Sequence, residues 1–431
     1  MTTRMLKDWI RKKRALLETS PTLRHVLTLM TGTVISQVSV FFLQIIAKRY
    51  FFTPADYGHF GYVASLCGIV ITIAALRYDM TIMLPKKDDE ARQIYRLARA
   101  SIAIMSVVGT VLAMVFYPQI SVYYSPLIAQ GLLLGGVYIF LTAELTNLQY
   151  WFNRTSKYKA LAFNRAQITI STVVVQMGLA LLGLSGMWGL LVGIIVAQFG
   201  CYLNLLRQSG DLRQPVAPGT MSKKELAFRY RKMPLLNGPN AFIDSVRMNG
   251  IALLIGYSSA ASLGAFQTAW TTLEVPIGLI NGAIAQVYFQ KMAAMERGDL
   301  APLVKDITIR AIKLGAVPFI ALWIIAPWIF PFVFGPQWTQ AGVFARALTP
   351  WLFMQLISSP ISNIFVVTER QQILLVFALF YTAIPLGQLF FLPWSLEARV
   401  YLMGISMATL LVINVFMAYQ VALRYDSETT A

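Results

Sequence analysis

Charge is scarce in this chain. Asp, Glu, Lys and Arg make up 13% of its 431 residues, while 57% are hydrophobic; soluble proteins carry about twice that charged fraction. Histidine is scarcer still, with only His25 and His59. Neither sits in a metal-ligand spacing such as H-E-x-x-H, and no G-x-x-x-x-G-K-[ST] phosphate loop occurs. The residues therefore offer no metal site, no cofactor site and no place to hydrolyse a nucleotide. The two cysteines, Cys67 and Cys201, both lie in apolar runs. They exclude a disulfide framework and read as buried free thiols.

Long apolar runs, by contrast, are abundant. Stretches of about twenty residues recur along the chain, and the mean hydropathy is +0.61, so the expected fold is an all-α polytopic membrane protein. The expected spans are 26–48, 58–84, 94–117, 126–150, 158–183, 186–207, 235–257, 262–288, 306–333, 342–366, 371–392 and 400–423. That makes about twelve helices. The first run, starting near Val26, lacks a small-residue cleavage site and reads as a retained helix rather than a signal peptide. Ahead of it, Met5, Leu6, Trp9, Ile10, Leu16 and Leu17 share a helical face, with Lys7, Arg11, Lys12 and Arg14 turned away from it. Segment 1–25 is thus expected to lie as an amphipathic helix on an anionic inner leaflet.

The net charge of +17 would suit nucleic acid, but its placement points to topology instead. Lys86, Lys87 and Arg92 follow span two; Arg154, Lys157 and Lys159 follow span four; Lys291 and Arg297 follow span eight. Span six is followed by Arg207, Arg213, Lys223, Lys224, Arg229, Arg231 and Lys232. The intervening turns 118–125, 184–185, 258–261 and 335–341 contain no lysine or arginine. Positive charge marks the cytoplasmic side, so both termini, including the tail 424–431, are expected inside. Lys48 and Arg49 are the exception, at the outer end of span one. The outward connections are too short for a catalytic domain, which argues against an enzyme.

The connection 208–234 divides the chain into an N-lobe, 26–207, and a C-lobe, 235–423, each of six spans. "TPADYGHF" (Thr53–Phe60) resembles "SAASLGAF" (Ser259–Phe266) at a shift of 206 residues, 264 − 58. Each follows the first span of its half, as in parallel repeats related by an axis along the membrane normal. Short helix-starting turns can also look alike without common architecture.

Polar residues inside spans mark candidate sites, because a central charge costs about 2.5–3.5 kcal/mol on insertion scales. Span one carries Thr33, Gln37, Gln44 and Lys48; span seven carries Asn237, Asn240, Asp244 and Arg247; span eight carries Gln267, Thr271, Glu274 and Asn281. One such stripe serves interhelical hydrogen bonding as readily as a watery cavity. Three of them favour a cavity. Arg247 and Glu274 lie 13 and 14 residues from the turn at Ala260, so an antiparallel hairpin brings them level. Glu144 and Arg165, nearly equidistant from Arg154, are expected to pair across spans four and five. Arg77 and Asp79, two apart in "LRYDM", point to opposite sides of a helix. Either both sit at the interface, with Asp79 facing Arg96 or Arg99, or Arg77 stands at the inner mouth of a cavity as a bidentate anion ligand.

"LRYDMTIMLPKKDDEA", "FNRTSKYKALAFNRAQITIS", "EVPIGLINGAIAQVYFQKMA" and "FGPQWTQAGVFARALTPWLFMQLISSPISNIFVVTERQ" resemble, in order, segments of bacterial polysaccharide and O-antigen flippases. These form the Wzx-type branch of the multidrug/oligosaccharidyl-lipid/polysaccharide exporter superfamily. The resemblance implies two pseudo-symmetric six-helix lobes around a central cavity in the bacterial inner membrane. It also implies alternating access and an undecaprenyl-diphosphate-linked oligosaccharide as cargo, with polymerase machinery as a further partner. An O-antigen or exopolysaccharide repeat is favoured over the peptidoglycan precursor, whose flippases have two further helices. By the same resemblance, Arg77 and Arg247, with Gln37, Gln44, Lys48, Asn240, Gln267 and Asn281, would contact the head group. Asp79, Asp244 and Glu274 would couple ions. A cation or drug antiporter of the same superfamily is the nearest alternative, and a membrane glycosyltransferase or polymerase a more distant one.

Overall fold

A computed structural model describes residues 36–293, 295, 298–368 and 370–427. The amphipathic segment expected over 1–25, the start of span one and the last four residues lie outside them. The described residues are helical, with short connections. α1 covers residues 36–46 and continues as the π-helical turn Ala47–Phe51; α2 is Pro54–Ala74 and α3 Asp88–Val115. α4 consists of Pro126–Leu133 and Gly135–Arg154, bent by 50°. α5 is Tyr158–Leu181 and α6 Gly186–Gln208. In the second half, α7 is Gly238–Gly256, α8 Ala260–Ala293 and α9 Leu300–Phe334. α10 is Thr339–Ile361, α11 Gln371–Phe391 and α12 Leu396–Ser427.

Seven of these helices are long and apolar enough to cross a membrane, and bent α4 makes eight. α7 and α8, which carry two of the polar stripes, are not among them. Nor is α5, whose first turns hold Asn164, Arg165 and Gln167.

Local chemistry explains the ends. Thr53 caps α2 reciprocally: its hydroxyl accepts from the Asp56 N–H, and the Asp56 carboxylate accepts from the Thr53 N–H. Pro54 occupies the first turn, where no donor is lost. A proline inside α9 shows how a helix tolerates the carbonyl it frees, through a donor on another segment. Pro327 cannot donate to the Trp323 carbonyl four residues back, and Arg346 of α10 donates to it instead at 3.0 Å.

Among the described residues the N-lobe has a large core around Val63, Ile94, Ile102, Leu148 and Trp151 and a smaller one around Ala47, Phe52, Val173 and Leu190. The C-lobe has two, one around Phe344, Leu348 and Met403, the other around Val304, Ile361 and Phe365. Much of the connection 208–234 belongs with the N-lobe. Leu226 is fully buried in the N-lobe core, Tyr78 donates to the Ala227 carbonyl, and Arg96 donates to the Gln214 carbonyl at 3.0 Å. Asp211 accepts from the Trp151 indole and pairs with Lys157 at 3.2 Å. This end of the bundle, rich in Arg and Lys, is called the basic end below.

Candidate functional site

At the end opposite the basic one the lobes are sealed along α2, α7 and α8. A Cβ on Gly58 would sit inside the Ala260 carbonyl, and one on Gly264 inside the Pro54 carbonyl. The relation is reciprocal, because 260 − 54 and 264 − 58 are both 206. The two similar segments of sequence therefore form the two sides of one helix crossing, of the small-residue kind that lets backbones touch in membranes. Around it, Trp338 donates to the Lys48 carbonyl at 2.9 Å, and Arg49 donates to the carbonyls of Phe332 and Val333 at the end of α9. Toward the basic end Thr271, Val275, Leu279 and Ile280 of α8 are exposed.

Span two does not reach residue 84 as one helix. α2 stops at Ala74, Leu76 and Arg77 take left-handed conformations (φ 48° and 60°), and a short turn follows over Tyr78–Thr81. Each such non-glycine residue costs roughly 1–3 kcal/mol unless its surroundings impose it. Here Ser101 holds the Ala74 carbonyl, Thr81 the Arg77 carbonyl and Arg154 the Ile82 carbonyl. The premise that Arg77 and Asp79 sit on opposite sides of one helix fails at this break. Neither Arg96 nor Arg99 meets Asp79, since Arg96 binds connection carbonyls and Arg99 binds Tyr202 and Glu144. Arg77 forms no salt bridge among the described residues; its Nε and the Asp79 Oδ1 are buried without hydrogen-bond partners. Arg165 is exposed on α5.

The expected Glu144–Arg165 pair is not formed. Glu144, wholly buried, accepts from the Tyr95 hydroxyl and from Asn147, with Arg99 at 3.6 Å. Equal distance from a turn sets the height of two residues but not their rotation, and Glu144 faces α3 rather than α5.

In the C-lobe a cavity of about 350 Å³ opens among α7, α8, α10, α11 and α12. Arg247 and Glu274 both line it, as their levels predict, but no salt bridge joins them. Arg247 is instead engaged by Asp244 one turn away, and its guanidinium lies 4.7 Å from the centre of the Tyr381 ring. Glu274 has no ion partner among the described residues. Trp270 rests on buried Trp351 with ring centres 4.7 Å apart, and the Trp351 indole donates to Tyr381 at 2.6 Å. Gln355, Ser358, Ser359 and Ser362 complete the polar wall.

The other expected ligands lie elsewhere. Lys48, 4% exposed, is held in the seal among the rings of Tyr57, Phe334 and Trp338, because π-helical winding turns it off the face of α1. Gln267 packs on Gly61 of α2, and Gln44 accepts from Tyr57. Asn281 is buried apart from the cavity, Asn240 is exposed on the first turn of α7, and Gln37 is half-buried on α1. Reading stripes alone missed Trp270, Trp351, Tyr381 and Gln355. The cluster Q-L-I-S-S-P-I-S over 355–362 was the available signal, unusually polar for a buried span.

A family model described as "Polysaccharide biosynthesis protein" matches residues 49–342. Among solved structures, the chain is similar to the lipid II flippase MurJ in an inward closed conformation. Identity is 12%, coverage 92% of this chain and 90% of that one, and the TM-score 0.71. An inward-facing multidrug resistance MATE family transporter of the MOP superfamily is similar at 13% identity, covering 94% and 95%, with TM-score 0.61. A MOP superfamily transporter from Pyrococcus furiosus, titled for the reverse polarity of its binding pocket, is similar at 14% identity, covering 95% and 96%, with TM-score 0.54. No curated protein matches the chain in sequence. At these identities the structures share its fold.

Proposed function

The chain belongs to the polysaccharide biosynthesis protein family, and on that premise we propose that it flips a polyprenyl-diphosphate-linked oligosaccharide across the bacterial inner membrane. The cargo is an O-antigen or exopolysaccharide repeat on undecaprenyl diphosphate, moving from the inner to the outer leaflet. The basic end is cytoplasmic, as its Lys and Arg content favours. A polar glycan cannot cross hydrocarbon unaided, while its polyprenyl tail can stay in lipid. The protein need enclose only the head group. The seal at Gly58 and Gly264 supports a state closed to the outside, and the exposed residues of α8 beyond it support access from the inside.

One observation carries the cargo assignment: Arg77, whose Nε is buried without a hydrogen-bond partner and which forms no salt bridge among the described residues. A planar fork that keeps its charge and is not taken up by a carboxylate suits a diphosphate. The deciding experiment is deletion of the gene. Lipid-linked glycan should accumulate on the inner leaflet with synthesis intact; normal surface glycan in the deletion strain would sink the reading. Arg77→Ala should lower export at least tenfold at normal abundance, with partial function in Arg77→Lys, where charge survives without the fork. Flipping against accumulation needs a driving force, supplied by an ion gradient through Asp79, Asp244 or Glu274. Accumulation that persists with all gradients collapsed would exclude that coupling.

A cation antiporter is the second reading. The observation favouring it is the C-lobe cavity, where Asp244 and Glu274 outnumber Arg247 among three aromatic rings. Gradient-driven efflux of an organic cation by reconstituted protein, without any glycan phenotype on deletion, would select it.

A further inference from the structure

The C-lobe cavity is built differently from the surroundings of Arg77 in the N-lobe, and the difference assigns it a different part of the cargo. We propose that this cavity is a sugar subsite, holding one uncharged pyranose of the oligosaccharide while the diphosphate stays with Arg77. The assignment rests on the flippase reading and deepens it.

Charge is the first argument. Asp244 and Glu274 face one guanidinium, so a diphosphate entering here would meet a net negative wall. Arg247 is not available to offset that repulsion: one of its terminal nitrogens is on Asp244, the other is 3.3 Å from the Met248 sulfur, and its plane lies by the Tyr381 ring.

Shape is the second argument. Trp270 is braced from behind by Trp351, which is 1% exposed and fixed by its hydrogen bond to Tyr381. A braced indole that still lines the cavity offers a flat apolar face, as the axial C–H face of a pyranose requires, at little entropic cost. The volume of about 350 Å³ falls at the small end of ligand sites, which run from about 300 to 1,000 Å³. It suits a ring or two, not a whole oligosaccharide.

Hydrogen-bond polarity is the third. The buried Gln355 Oε1 has no donor, and the Glu274 carboxylate has no ion partner among the described residues. Acceptors without donors in a confined site need hydroxyl protons, and a sugar brings several. Ser359 and Ser362 stand on the same wall. An organic cation would satisfy Glu274 but not the amide oxygen, and it would compete with Arg247 for the Tyr381 face.

Lipid extracted from the deletion strain supplies the probe. Mild acid cleaves the glycosyl phosphate and frees an oligosaccharide without phosphate. Its binding to the purified full-length protein is read from tryptophan fluorescence and, independently, from calorimetry, alongside farnesyl diphosphate and tetraphenylphosphonium. The phosphate-free oligosaccharide should saturate the wild type, and Trp270→Ala should weaken it by at least about tenfold, as for a central aromatic anchor. Trp270→Phe should keep much of the affinity and certify the fold. Farnesyl diphosphate should respond instead to Arg77→Ala. Farnesyl diphosphate binding with no oligosaccharide binding would overturn the sugar subsite and leave the flippase reading standing. Loss of farnesyl diphosphate in Trp270→Ala at normal thermal stability would do the same. Saturable tetraphenylphosphonium binding that needs Glu274, with no oligosaccharide binding, would give the cavity to cations. A deletion strain that accumulates no lipid-linked glycan would overturn the flippase reading itself, before any binding is measured.

Discussion

The two lobes share one six-helix plan and treat their carboxylates in opposite ways. In the N-lobe Glu144 is enclosed: Tyr95, Asn147 and Arg99 close on it beside Trp151 and Leu148, while that lobe's cavity of about 540 Å³ is lined mainly by apolar residues such as Leu66, Val70, Leu112 and Phe116. In the C-lobe the cavity is lined by charged and hydroxyl groups beside Trp270, Trp351 and Tyr381. Its Glu274 is left without an ion partner among the described residues. A buried charge with every neighbour engaged is structural, whereas one facing a cavity is held for something that arrives. The repeat therefore supplies the seal from both halves alike, and the chemistry from each half differently.

The seal gives the largest expected effect, and it should be equal in both lobes. A leucine at Gly58 or at Gly264 cannot coexist with the facing carbonyl, so the state closed at this end becomes inaccessible. Both Gly58→Leu and Gly264→Leu should reduce export to background while the protein still inserts. A cysteine at Gln267, packed on Gly61 in the closed state, should become reactive to an impermeant thiol reagent added from outside. One glycine tolerating the change while the other does not would break the symmetry of the crossing.

The next effect should separate the lobes. Glu144→Ala leaves the Tyr95 hydroxyl, Asn147 and Arg99 without their shared acceptor. Breaking a buried pair costs about 3–5 kcal/mol, and the lower figure applies because Arg99 keeps access to solvent. Thermal unfolding in detergent should fall accordingly, with abundance. Glu274→Gln removes a carboxylate that no described cation pairs with, so unfolding should hardly move while export drops several-fold. Equal losses of stability in the two variants would erase the distinction drawn here.

Much of this was legible in sequence because it is written in one dimension. Apolar run length gave an all-helical fold of long helices joined by short connections, and the short Thr53–Phe60 and Ser259–Phe266 similarity lay at the crossing of the lobes. The level of Arg247 with Glu274 followed from rise per residue. What failed needed rotation or backbone strain. Glu144 turned to α3 rather than Arg165 because height does not fix azimuth. The break at Leu76 and Arg77 has no glycine or proline to announce it; Ser101, Thr81 and Arg154 impose it from other segments. Trp270 and Trp351 hid in apolar runs, where an aromatic lining a cavity looks like one lining a core.

The smallest expected effect concerns the connection between the lobes, and it asks how firmly that connection is tied to one of them. The short helix Lys223–Arg229 begins with a capping box: the Ser222 hydroxyl accepts from the Glu225 N–H, and the Glu225 carboxylate accepts from the Ser222 N–H at 2.7 Å. The hydrogen bond from the Ser222 backbone, and then that from its side chain, holds the Glu225 carboxyl below its ordinary range. A lowered value in the folded protein means that the contribution is complete above the ordinary Glu value of about 4.3 and fades as pH falls through the lowered one. Leu226, in the same helix, is buried in the N-lobe core, so local opening of the cap should loosen that anchor without unfolding the lobe. Ser222→Ala should raise amide hydrogen exchange over 223–229 a few-fold at neutral pH, with α2 and α3 unchanged. Glu225→Gln should reproduce part of that rise at neutral pH, and its difference from wild type should shrink in acid. If exchange over 223–229 matches α7 in every variant instead, the connection moves with the C-lobe, and the border between the lobes lies before Ser222.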